Sequence, residues 1–372
     1  MSELSIPSDI REYANYIISL IQSSNEDHPL KVAYRDSSLY FCDFLDFMIH
    51  IHKEFSDKCC DDILINKLQL SKKDFDEDKY YQSATEISVI FFLFCIKHSR
   101  FDYEKVQRQG TDKQPECAVI STTGNKFIVE AKCPTQESNR NVPNKNTTLI
   151  FRNIGRANSL QEHKEFLEKM KNDFAIQDIA LEQGKNTDNK MLDFLQSANL
   201  KFSDENKNHE LNILFIALDS VYQIQEWVGY FYFNEGFFAS NSFAAIPPYC
   251  YLDRKNKETY VDPSFKNIHI IVFTNNFFRH KNNTNINGSA WRLSDGFNFA
   301  IENPHANLKS KKAAIQEFFS DYLGVYTKDI QNYTNPFDIP EDVFNALRIT
   351  IYVKKELEDN QGIYYWEKPK EE

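Results

Sequence analysis

The chain alternates between stretches with helical periodicity and short apolar runs of strand character. Residues 8–22 place Ile10, Tyr13, Ile17, Leu20 and Ile21 on one side and open with Pro7-Ser8-Asp9, which predicts an amphipathic helix. Residues 37–55 repeat the pattern with Phe41, Phe44, Leu45, Met48, Ile49 and Ile51, and residues 60–70 predict a shorter third helix. A charged stretch, Ser71 to Lys79, leads into a strong helix over 79–98 whose C-terminal half is apolar nearly all round, so it should be buried on more than one side. Phe101 to Gln107 reads as a strand and Gly110-Thr111-Asp112 as a loop. Two further strands follow, with Val119-Ile120 in the first and Phe127-Ile128-Val129 in the second, joined by the turn residues Thr123-Gly124-Asn125.

Beyond them, residues 135–153 read as a polar loop, 156–183 as helical and 188–199 as another helix. Residues 211–218 and 268–274 are largely apolar and suit buried strands, the first of them at the centre of a sheet covered by helices. Between them lies an aromatic, irregular insertion over 222–262. An Asn-rich segment covers 275–289, and a helix over 309–323 stops at Gly324. The tail predicts a short helix after Pro340 and a hairpin of Ile349 to Lys354 against Ile363 to Trp366. The expected class is α/β: a mixed sheet flanked by helices on both faces. The expected units are a helical N-terminal cap (1–78), a core (79–280) and a C-terminal helical and hairpin extension (281–372).

Composition narrows the function. Gly is scarce (10) against 31 Phe and 19 Tyr, and neither G-x-G-x-x-G nor a Walker loop occurs, which argues against Gly-rich phosphate binding. The net charge of -11 means that any nucleic-acid binding needs a local basic patch. Seven Cys without a C-x-x-C pair suit reduced thiols in a cytoplasmic protein, and no apolar run is long enough for a membrane span. The His residues, His50 and His52 among them, lack zinc-ligand spacing.

The chemistry concentrates between Pro115 and Lys132. Side chains alternate along a strand, so Glu130 and Lys132 share a face, and Glu116 at the start of the preceding strand can lie beside Glu130. Pro115-Glu116, thirteen residues and then Glu130-Ala131-Lys132 resembles the PD-(D/E)xK motif of the restriction-endonuclease-like nucleases, with Glu116 where the pattern usually has Asp. The predicted helix-strand-strand-strand-helix-strand order over 79–218 is similar to that group's core. The resemblance implies a nuclease that hydrolyses phosphodiester bonds, in DNA rather than RNA, with a role in restriction, phage defence or repair. It also implies Mg²⁺ or Mn²⁺ held by Glu116, Glu130 and the Ala131 carbonyl. Glu86, on the preceding helix, matches the acid that often completes the site, and Lys132 would orient water or stabilise developing charge.

Two stretches are candidates for holding nucleic acid. From Lys126 to Lys171, nine Lys/Arg stand against five Glu, including Arg140, Lys145, Arg152 and Arg156. From Pro263 to Ser294 there is no acid, and Lys266, Arg279, Lys281 and Arg292 are interleaved with aromatics and Asn. Gln161 is a further candidate phosphate contact. Nucleases of this type often cut two strands as a homodimer. The alternatives to an active nuclease are an inactive nuclease-like binding or scaffold protein and a helical interaction protein without this fold.

Overall fold

The computed structural model describes residues 8–103, 114–133, 148–151, 165, 168–169, 172–173, 180–183, 187–202, 209–218, 250–252, 258–260, 265–296, 298–303 and 305–319. Five helices come first: α1 (Ser8–Ser23), α2 (Pro29–Arg35), α3 (Leu39–His52), α4 (Asp57–Asp61) and α5 (Glu77–Phe94), with a π-helical segment, Asp62–Lys67, following α4. The buried side of α1 is Tyr13, Ile17 and Ile21, the stripe that its periodicity predicts. α2 was not legible from apolar spacing because it is only two turns long. Its start is fixed by His28, whose ring accepts from the Leu30 N–H, and by Pro29 at the first helical position.

The strands β1 (His98–Tyr103), β2 (Cys117–Ser121) and β3 (Lys126–Lys132) form an antiparallel meander. β1 begins earlier than expected, and residues 104–113, including the Gly110 loop, lie outside the described residues. Gly124 sits in the β2–β3 turn at φ +89°, where a side chain would meet no neighbour, so the demand for glycine there is one of backbone conformation alone. β4 (Thr148–Phe151) pairs in parallel with β5 (Ala180–Gln183) in a separate two-stranded sheet. This corrects the loop expected through 153 and the helix expected through 183. Ala, Leu, Glu and Gln favour helix, but the preference is small per residue and strand pairing overrides it.

Next come α6 (Thr187–Lys201) and β6 (Glu210–Ala217). Among the described residues of the insertion, β7 (Cys250–Leu252) pairs in antiparallel fashion with β8 (Glu258–Tyr260). β9 (Ile270–Thr274) leads into α7 (Asn276–Lys281), so the Asn-rich segment opens as a helix. A 3₁₀ turn, Leu293–Asp295, is followed by β10 (Asn298–Glu302), which sequence pattern alone did not reveal, and by α8 (Lys312–Gln316). Gly324, the helix after Pro340 and the terminal hairpin lie outside the described residues.

The main sheet has six strands in the order β1-β2-β3-β6-β9-β10. β3, β6 and β9 are mutually parallel, while β2 and β10 are antiparallel to their neighbours. Every residue of β6 and β9 is buried, including Glu210 and Asn212 of β6, as befits predominantly apolar central strands. The protein is therefore α/β, with a mixed sheet flanked by helices. No described helix is long and apolar enough to cross a membrane.

One apolar cluster includes side chains of the N-terminal helices, α5, the sheet and α8. A buried polar relay runs through it. The Tyr40 hydroxyl lies 3.0 Å from that of Tyr80 and 2.8 Å from His280 Nδ1, and His280 Nε2 lies 2.9 Å from Ser88 Oγ. Ser88 in turn donates to the Ala84 carbonyl at 2.9 Å. The Trp291 ring stands beside Tyr40, Phe44 and His280, and its Nε1 donates to the Tyr40 carbonyl at 2.9 Å.

Burial makes protonation of three histidines unfavourable. The pKa of His28 falls to about 4 despite its bond to the Leu68 carbonyl. Those of His269 and His280 fall to about 3, with Lys311 and Arg279 respectively adding to the effect of burial. An unfolded His takes up a proton near 6.5, so between that pH and the depressed native value the unfolded chain binds more protons, and stability falls with pH. Buried carboxyls carry the opposite sign, so the test is differential. From pH 7 to pH 5, His280→Asn should lose about 2 kcal/mol less stability than the wild type, measured by urea unfolding at both pH values. Equal losses would show that His280 titrates normally in the fold.

Candidate functional site

β2 and β3 pair with Cys117 opposite Val129, so the next register position sets Glu116 opposite Glu130. Pairing of β3 with β6 places Glu130 against Leu214 in the middle of the sheet, and its carboxyl is fully buried. One oxygen, Glu130 Oε1, lies 2.5 Å from Lys132 Nζ and 2.5 Å from Lys201 Nζ, while the other, Oε2, is buried with no hydrogen-bond partner. Lys201 stands at the C-terminal end of α6 and also lies 3.8 Å from Glu116 Oε1. A third ammonium comes from Lys67, at the end of the π-helical segment. It lies 3.4 Å from Glu116 Oε2 and 3.7 Å from Glu86 Oε2, and it also faces the Tyr103 ring at 5.5 Å.

Glu86, Glu116, Glu130 and Lys132 are thus brought together, as the sequence predicts, by one helix and one strand pair. Lys67 and Lys201 were not anticipated. Lys201 extends the predicted helix by two residues and sits beside the buried stripe of Met191, Leu195, Ala198 and Phe202. Lys67 interrupts the apolar run from Ile63 to Leu70. A lysine bordering a buried stripe directly before a central strand is the signal available for Lys201, but only closure of the fold identifies its partners.

The electrostatics match this crowding. Burial and the neighbouring Glu116 push the Glu86 carboxyl up to about 7, against the pull of Lys67 and Lys132. Glu130 is also raised, first by burial, with Glu116 adding to it and Lys132 and Lys201 opposing. Burial works against the charge of Lys132, but Glu130, Glu116 and Glu86 outweigh it and the lysine's pKa rises. These are two sides of one effect: like charges repel in a poorly solvated place, and opposite charges compensate them. Burial holds the nearby Cys117 and Cys133 thiols well above their ordinary range, so neither is a poised nucleophile.

Three carboxylates are a donor set that suits Mg²⁺ or Mn²⁺, and the unpartnered Oε2 of Glu130 is an acceptor that a hard cation would satisfy. The carboxylates are nevertheless engaged by lysines. Among the described residues no group of three or more His, Cys, Asp or Glu is set to hold a metal ion. Ala131 is buried in β3 beside Glu130.

Of the residues expected to contact nucleic acid, Arg140, Lys145, Arg152 and Arg156 lie outside the described residues, as does Gln161. Lys281 is exposed, 3.7 Å from Asp78 and over the Phe277 ring at 4.8 Å. Arg279 is buried, and its Nη2 donates to the Asn287 carbonyl at 2.6 Å and the Ser289 carbonyl at 3.3 Å, fastening the loop after α7. Arg292 is exposed and pairs with Asp43 at 3.2 Å. Comparison with family models, with curated proteins and with solved structures returns no match.

Proposed function

We propose that the protein is a metal-dependent nuclease with a restriction-endonuclease-like core, acting on DNA in preference to RNA. The observation that carries this reading is the convergence of Glu86, Glu116, Glu130 and Lys132 on one poorly solvated spot. With the separate β4–β5 pair set aside, the order α5, β1, β2, β3, α6, β6, with β3 parallel to β6, supports the core assignment. The preference for DNA, and a place in restriction, phage defence or repair, rest on the resemblance of the motif alone.

In this reading Glu116, Glu130 and the Ala131 carbonyl would hold Mg²⁺ or Mn²⁺, with Glu86 binding directly or through water. When bound, the ion would lower the pKa of a coordinated water and polarise the phosphate. Lys132 orients that water or stabilises charge on the phosphoryl oxygens as the water oxygen attacks phosphorus and the ester oxygen leaves. The sheet holds Glu130 and Lys132 on one face with fixed spacing, so both groups are positioned before substrate arrives.

One observation favours an inactive binding or scaffold protein instead. Three lysines stand among the three acids, so their charges balance within the cluster. Cleavage separates the readings. Incubation with single- and double-stranded DNA in Mg²⁺ or Mn²⁺ should yield nicked or cut product, and Lys132→Ala should lower the rate by about a hundredfold or more. Absence of cleavage, with DNA binding unchanged in Lys132→Ala, would establish the scaffold.

A further inference from the structure

Lys67 and Lys201 are tied to the same carboxylates as Lys132 but come from outside the strand motif. Lys201 reaches Glu130 at 2.5 Å and Glu116 at 3.8 Å, and Lys67 reaches Glu116 at 3.4 Å and Glu86 at 3.7 Å. Each of these two side chains therefore bridges a pair of the three acids, with Glu116 shared between them. Both lysines are largely buried, with relative side-chain exposures of 14% for Lys201 and 17% for Lys67. Neither is a freely solvated surface charge that salt would screen away. Beside them, Glu130 Oε2 is buried and has no partner, so the cluster keeps one acceptor that the lysines do not satisfy.

We propose that Lys67 and Lys201 occupy the cation site electrostatically and set its affinity for divalent metal. This inference rests on the metal-dependent reading above. Each ammonium lies within 4 Å of two carboxylates, where a divalent ion bound to those carboxylates would experience strong repulsion from it. Metal entry therefore requires the lysines to withdraw. Once displaced, an ammonium on a long flexible stem remains close enough to meet a phosphoryl oxygen of the substrate. The same two residues thus oppose metal binding and favour anion binding, a pairing of signs that a merely structural role does not produce.

The test is Mn²⁺ binding by isothermal titration calorimetry to the full-length protein without nucleic acid. The panel is wild type, Lys67→Met, Lys201→Met, Lys201→Arg and Glu130→Gln, with thermal unfolding confirming that each is folded. Both methionine variants should bind Mn²⁺ at least about tenfold more tightly than wild type. Lys201→Arg, which keeps the charge, should stay near wild type, and Glu130→Gln should lose binding. Short duplex DNA in Ca²⁺ should bind the methionine variants more weakly. If wild type binds Mn²⁺ and the methionine variants bind it equally or less well, the inference fails while the metal-dependent function stands. If no variant binds Mn²⁺, both fail. Tight binding only in the methionine variants upholds the role of the lysines and points to the scaffold as the native state.

Discussion

On the proposed nuclease function, Glu130→Gln is expected to lower metal-dependent cleavage by on the order of 10²–10³-fold while the protein stays folded. The glutamine amide has nearly the shape of the carboxylate, so the buried space between β2 and β6 remains filled. Its carbonyl oxygen can still accept from Lys132 or Lys201, both 2.5 Å from Oε1 in the native protein. What disappears is a full negative charge at a fully buried position. Burying that charge opposes folding, because the native carboxyl is harder to ionise than an unfolded one. The ammonium groups lose their closest anion, which offsets part of the relief. Stability should therefore change little, while a neutral amide is a much poorer partner for Mg²⁺ or Mn²⁺. Parallel melting curves and cleavage rates decide the matter. Wild-type cleavage by the glutamine variant would remove Glu130 from the catalytic set.

Trp291→Ala should cost about 3–5 kcal/mol of stability, read as a lower urea midpoint. The indole is fully buried, with ring centroids 5.1 Å from Tyr40, 5.1 Å from Phe44 and 4.7 Å from His280. Truncation leaves a large cavity and removes the donor to the Tyr40 carbonyl. Collapse into the gap is hindered because Tyr40 and His280 are held by hydrogen bonds to Tyr80 and Ser88. A loss below about 1 kcal/mol would mean that the N-terminal helices close the gap freely and are not locked onto the core.

The legible parts of this chain were those whose structure is decided by near neighbours. β3, β6 and β9 are short runs rich in Ile, Val, Leu and Phe, a composition that suits buried strands. The juxtaposition of Glu116 and Glu130 was readable because a short turn with Gly124 fixes the register of β2 on β3. Lys67 and Lys201 were not readable, since their partners are far away in sequence and chosen by the packing of α6 and the N-terminal helices. Arg279 looked like a phosphate contact from its basic, aromatic surroundings, but those aromatics draw it into the core, where carbonyls take up its donors. Ala180–Gln183 illustrates the converse, a segment of helix formers captured by a parallel partner strand.

The buried relay has a consequence for the acid on α5. A helix advances ~100° per residue, so Ser88 and Glu86 lie ~200° apart around its axis. Ser88 is bonded on one side to His280 and, through it, to Tyr40, while Glu86 on the other side meets Lys67. Apolar contacts alone tolerate a helix that rolls or slides slightly, because one methyl group substitutes readily for another. Hydrogen bonds between specific atoms do not, since a buried hydroxyl or imidazole moved out of line is left unsatisfied. The relay therefore acts as a keyway for α5. It fixes the rotational setting of the helix, and with it the direction in which Glu86 is aimed.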